Sequence, residues 1–141
     1  MLLNGHCRCR TLALDWQTVD HSLVPRRCGC SFCRARGLCW VSKRGTRLRV
    51  IINNPRYHEL LRQGTETAEF HRCTHCDQVV LATSEIDGDM YAVISAVALD
   101  NPAGFAEAVC ADFDGEAVGD RLNRRRLNWC GPVQITYADV P

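Results

Sequence analysis

Seven of the ten cysteines fall into three tight clusters, Cys7-Arg8-Cys9, Cys28-Gly29-Cys30-Ser31-Phe32-Cys33 and Cys73-Thr74-His75-Cys76. Cysteines two residues apart do not easily reach the roughly 5.5–6 Å Cα separation that a disulfide prefers, so a disulfide framework is the poorer reading. Metal thiolate is the better one. A tetrahedral structural zinc takes four ligands, whereas a functional zinc commonly takes three and keeps one position open. Four plus three therefore points to two zinc ions per chain with different roles.

Cys73-x-x-Cys76 lies between two strand-like segments, where a knuckle can turn two sulfurs toward one ion. Cys7-x-Cys9 is the natural complement, because the middle cluster already carries three sulfurs. Cys7, Cys9, Cys73 and Cys76 thus form the candidate structural site, and Cys28, Cys30 and Cys33 the candidate open one. Gly29 is expected to supply the backbone freedom that two ligands at i and i+2 require. Ser31 and the turn after it can start a short helix whose amides lower thiolate pKa and favour anions.

At 141 residues the chain is expected to form a single domain, 1–141, with a core of its own. Seven thiolates and two zinc ions would turn the formal net charge of +1 into −2, which argues against charge-driven nucleic-acid binding. The start, Met-Leu-Leu-Asn-Gly-His, lacks the pattern of a secretory signal, and no apolar run approaches the ~20 residues of a membrane span. A reducing cytoplasm, where thiolates stay available to metal, is the expected location, with no membrane partner.

Alternation with a period of two dominates the chain. Leu12, Leu14 and Trp16, then Leu48, Val50 and Ile52, then Ala68 and Phe70 read as half-buried strands; 79–83, 91–99 and 133–137 read as further strands. Asp87-Gly88-Asp89 reads as a hairpin turn. Loops are expected at 53–55 and 101–104, and one or two helical turns at 57–62 and 105–110. The expected fold is mainly β, and the stretch beyond about Ala111 shows no clear pattern.

Gly5-His6-Cys7-Arg8-Cys9, Cys28-Gly29-Cys30-Ser31-Phe32-Cys33-Arg34-Ala35-Arg36-Gly37 and Cys73-Thr74-His75-Cys76 resemble, in order and spacing, the glutathione-dependent formaldehyde-activating enzyme family, which includes centromere protein V. The resemblance covers roughly residues 4 to 100. It implies an Mss4-like fold of antiparallel sheets with zinc-binding knuckles, a structural zinc on Cys7, Cys9, Cys73 and Cys76, and a catalytic zinc on Cys28, Cys30 and Cys33. The implied activity is that of a carbon–sulfur lyase on an adduct of the S-(hydroxymethyl)glutathione type, with a thiol such as glutathione and an aldehyde as partners. The alternative is a noncatalytic zinc-binding interaction module, as in centromere protein V. Family members commonly carry glycine after the second and seventh cysteines, where this chain has Arg10 and Asp77; Asp tolerates left-handed backbone better than most residues.

Around the open site, Arg34 and Arg36, with Arg26 and Arg27 before it, form a candidate cationic rim for the carboxylates of the thiol, or alternatively solvated loop charge. Arg121 and Arg124 to Arg126 read as a solvated face. Glu59, Glu66, Glu69 and His71 are general-base candidates by type alone. Cys39, Cys110 and Cys130 read as small buried hydrophobes, His6, His71 and His75 as neighbours of ligands, and His21 and His58 as surface residues.

Overall fold

A computed structural model describes residues 2–18, 23–100, 105–111, 113 and 115–138. The expected loop at 101–104 and His21 lie outside the described residues. Two sheets carry the fold. Strands β1 (Leu2–His6), β2 (Leu12–Gln17), β5 (Arg47–Ile52) and β11 (Val133–Tyr137) form the smaller sheet in the order β1-β2-β5-β11. The larger has seven strands, β3 (Arg26–Cys28), β4 (Cys39–Val41), β6 (His58–Leu61), β7 (Glu69–Cys73), β8 (Gln78–Ile86), β9 (Asp89–Ser95) and β10 (Val109–Ala111), in the order β10-β3-β4-β9-β8-β7-β6.

The period-two segments become these strands for the reason the pattern suggests. Leu12, Leu14 and Trp16 of β2 and Leu48, Val50 and Ile52 of β5 put alternate side chains into one core with Leu81 and Ile94 of the larger sheet. Ala82 and Val93, one residue along, join a second core on the opposite face with Phe70, Trp40 and Trp129. The β8–β9 turn has positive φ at both Asp87 (53°) and Gly88 (85°), as a tight two-residue hairpin requires. Pairing is mostly antiparallel, but β10 runs parallel to β3 and β11 parallel to β5. These late strands reach sheet edges by longer connections, which frees them from hairpin geometry.

Three local expectations change. Residues 57–62 hold only the end of a 3-10 turn (Pro55–Tyr57) before strand β6, and 105–110 contributes to strand β10, so neither is an α-helix. Conversely, helix α2 (Val118–Asn128) lies in the stretch without pattern. Its sequence hides it because the buried position is Arg125, 6% exposed, while Leu127 is 46% exposed. Finally, α1 (Ser31–Ala35) follows Cys30 as the short helix expected there.

Candidate metal centres and an arginine-walled chamber

The first cysteine set joins the two sheets. Cys7 and Cys9 occupy the β1–β2 turn of the smaller sheet, and Cys73 and Cys76 the β7–β8 turn of the larger. All four sulfurs lie within 4.8 Å of one another, with Sγ···Sγ distances of 3.7 Å for Cys7–Cys9 and 3.4 Å for Cys9–Cys73. A tetrahedral ion with metal–sulfur bonds of ~2.3 Å sets such edges at about 3.8 Å, so the set fits one metal ion. The Arg8 amide donates to Gln78 Oε1 at 2.9 Å, and the Leu12 amide to Cys7 Sγ at 3.4 Å. Cys7 and Cys73 are fully buried.

Without a cation Cys7 and Cys9 differ sharply. Burial pushes Cys7 up to about 12, whereas at Cys9 burial is outweighed by hydrogen bonds from Thr11 and His75, which bring it down to about 5. A bound cation favours the thiolate at every position. The two knuckles end on non-glycine residues in left-handed backbone, Arg10 (φ 65°) and Asp77 (φ 59°). The Arg10 amide donates to Cys7 O at 3.0 Å, and Asp77 ion-pairs with Arg72 at 2.7 Å. Both knuckles therefore keep their turn without the glycines.

Cys28, Cys30 and Cys33 form a second set, again within 4.8 Å of one another. Cys28 ends β3, Cys30 caps α1 by accepting the Cys33 amide at 3.4 Å, and Cys33 sits in the second core at 2% exposure. A hydrogen bond with Cys28, then burial, holds the Cys33 thiol up. No fourth Cys, His, Asp or Glu joins this set among the described residues. Gly29 is not in left-handed backbone, and a Cβ there would meet nothing nearer than Ala111 O at 3.8 Å. The freedom expected of that glycine is not used.

The three sulfurs line a chamber of about 100 Å³ walled by Trp40, Phe70 and Trp129. A second, outer chamber of about 250 Å³ shares Cys28 and Cys30 with it, together with Gln63, Phe113, Arg121 and Arg125. Gln63 Nε2 lies 4.0 Å from Cys30 Sγ. The cationic wall is not the expected one. Arg34 on α1 and Arg36 just past its end are exposed and line neither chamber; Arg36 instead stacks on Phe32 at 3.9 Å. Arg26 does line the inner chamber, joined by Arg121, Arg124 and Arg125 of α2, so the helix read as a solvated face supplies the charge. The available signal was the run of arginines itself, Arg121 and Arg124 to Arg126.

The remaining candidates stand elsewhere. Glu59 pairs with Arg72 at 3.0 Å, Glu69 with Arg62 at 3.6 Å, and Glu66 lines a separate hollow. His71 is buried on the face of β7 opposite Phe70, bonded to His58 at 2.9 Å and Thr83 at 2.8 Å, so His58 is half-buried and not a free surface residue. His6 bridges Cys7 O and Asp100, each at 2.7 Å. Cys130 is buried as expected, but Cys110 is exposed. Cys39 lies across β3–β4 from Arg27, outside both metal sets.

No family model and no curated protein matches this chain. Among solved structures it is similar to a Rhodobacter sphaeroides protein determined as a structural-genomics target. The two are 22% identical with a TM-score of 0.55, over 94% of this chain and 99% of that one. The likeness supports the fold alone. Among the described residues no helix is long and apolar enough to cross a membrane.

Proposed function

We propose that the chain is a zinc-dependent carbon–sulfur lyase that joins a thiol to a small aldehyde and reverses the addition. The observation that carries this reading is the contrast between the two cysteine sets: one is complete and buried between the sheets, the other has three sulfurs facing a chamber. Thiolate-rich sites suit zinc among the divalent metals, and three protein ligands leave a position for a substrate atom. Zinc bound there would supply a lowered thiol pKa and Lewis acidity toward a carbonyl.

The chain's own residues bind and orient. The outer chamber has room for the body of a thiol of the glutathione type, and the inner one for the reacting end. Trp40, Phe70 and Trp129 give the chamber an apolar wall beside the sulfurs. Addition forms the bond between the thiol sulfur and the aldehyde carbon, and the carbonyl oxygen gains the proton the thiol lost. The rival, a noncatalytic zinc module, calls for a fourth protein ligand on the second metal, and none stands among the described residues.

Because this addition proceeds without a catalyst, the test is a comparison. NMR exchange between free glutathione plus formaldehyde and their adduct should run faster with zinc-replete protein than with Cys33→Ser at equal concentration. Equal rates would rule out glutathione with formaldehyde as the substrate pair and favour a different thiol or a binding role.

A further inference from the structure

Four guanidinium groups, from Arg26, Arg121, Arg124 and Arg125, share the wall of the inner chamber with three thiols. Among the described residues one carboxylate, Glu116, is paired with them, at 3.2 Å from Arg124 and 3.9 Å from Arg121. Even a zinc with three thiolates, which carries a net −1, leaves a positive sum over the described residues of the wall. Burial, then repulsion from Arg124 and Arg121, lowers Arg125 to about 10, so it remains a cation at neutral pH.

Arg125 is 94% buried by the complement of its 6% exposure, and only one edge of it is used. Nη1 donates to Thr67 O at 3.0 Å, Thr67 Oγ1 at 2.9 Å and Ser84 Oγ at 3.1 Å, while Nε is buried without a partner. Arg121 differs: its Nη2 donates to Phe113 O at 2.9 Å and its Nε faces Glu116 Oε1 at 3.9 Å, so it contributes positive charge and no free edge. A buried, unpaired donor on a charged group costs on the order of 1–3 kcal/mol or more, and a carboxylate is the acceptor whose two oxygens match a guanidinium edge.

Size narrows the ligand. A cavity of about 150 Å³ holds one benzene, so about 100 Å³ admits a group of roughly four or five heavy atoms. The same small space touches both the sulfurs and the arginines. A carboxylate confined to the inner chamber lies within a few bonds of the atom that meets the metal, whereas one in the outer chamber, which Arg121 and Arg125 also line, can lie farther from it. In glutathione both carboxylates lie more than a few bonds from the sulfur, and formaldehyde has none.

We infer that the inner chamber is a subsite for a small carboxylate, held by the unused donors of Arg125 and attracted by the positive charge of Arg121, and that the substrate entering it is a 2-oxo acid of the glyoxylate class or a 2-mercapto acid. The carboxylate subsite stands on the arginines themselves; the substrate it serves rests on the lyase reading. Arg125 and Arg121 are then specificity-determining groups.

The test is calorimetric titration of zinc-replete protein with acetate, an inert probe, against its neutral isostere acetamide. Acetate should bind and acetamide should not. Arg125→Lys keeps a positive charge but loses the two-donor edge and should weaken acetate binding at least tenfold, as should Arg121→Gln. Arg126→Gln, which alters an exposed arginine paired with Asp87 at 2.8 Å, should leave it unchanged. Circular dichroism of each variant separates loss of binding from loss of fold, and Arg121→Gln decides the matter if Arg125→Lys unfolds. Equal affinity in wild type and the folded variants, or equal binding of acetate and acetamide, overturns the proposal. Glyoxylate and mercaptoacetate, titrated in the same way, identify which partner carries the carboxylate: the substrate should bind at least tenfold tighter than acetate. Acetate binding with no accelerated thiol–aldehyde exchange would defeat the lyase reading and leave the subsite standing; accelerated exchange without acetate binding would do the reverse.

Discussion

The two cysteine sets use the same atoms for opposite ends. Cys9 and Cys73 are 64 residues apart in sequence, so a metal on the first set closes a long loop and ties one sheet to the other. Closing a loop of that length removes unfolded-chain freedom on the order of 4 kcal/mol by the argument used for disulfides, beyond the metal–sulfur bonds themselves. Cys28, Cys30 and Cys33 lie within six residues and close almost nothing. With metal bound at both, stability would be concentrated at the first set, and the second would carry an open position at little cost to the fold.

The largest expected effect follows directly. Cys73→Ser should cost several kcal/mol and lower the thermal midpoint by roughly 10 °C or more, because it breaks a closed set and leaves buried thiols behind. Cys30→Ser removes a half-buried cap at the edge of the chamber and should stay within about 1 kcal/mol of wild type. Thermal melts of both variants settle it, and equal losses would break the division of roles.

Metal release should sharpen the same contrast. Reduced protein should bind two zinc ions per chain, and a chelator should strip one of them at least tenfold faster. Elemental analysis of Cys28→Ser should then find only the slow ion. Acidification should release both, the three-cysteine ion first, because each ligand must stay deprotonated to hold metal and the smaller set has fewer ligands to lose. A chelator that removes both ions at one rate would mean that the second set is closed.

How far the chain could be read depended on what each element buries. Strands such as β2 and β5 alternate Leu, Val, Ile and Trp with polar residues because one face is packed, and that period is visible in the letters. Cysteine grouping was equally legible, since ligand spacing is a local constraint. Helix α2 was not, because it buries Arg125 and turns Arg121 and Arg124 to the chamber, reversing the usual sign of the pattern. For the same reason Arg34 and Arg36 drew notice by adjacency to Cys33, while three of the four arginines that line the inner chamber are 88 to 92 positions farther along. The parallel edge pairings of β10 and β11 were hidden too, for no local signal sets the register of strands joined at long range.

The smallest expected effects compare the two knuckle backbones. Arg10 holds φ 65°, a region that costs a side-chain-bearing L-residue about 1 kcal/mol, and its exposed side chain has little packing to lose. Arg10→Gly should therefore stabilise the protein by up to ~1 kcal/mol, less whatever the more flexible unfolded chain takes back. Gly29 in the three-cysteine loop is the converse: its backbone is not left-handed, and an added Cβ would find ordinary contact at 3.8 Å. Gly29→Ala should change stability by less than about 1 kcal/mol and leave metal content intact. Denaturant unfolding of the two variants, with zinc counted in each, checks both signs. A destabilised Arg10→Gly would show that the arginine contributes more through its contacts than its backbone costs, and metal loss in Gly29→Ala would show that the open site tolerates less change than its geometry indicates.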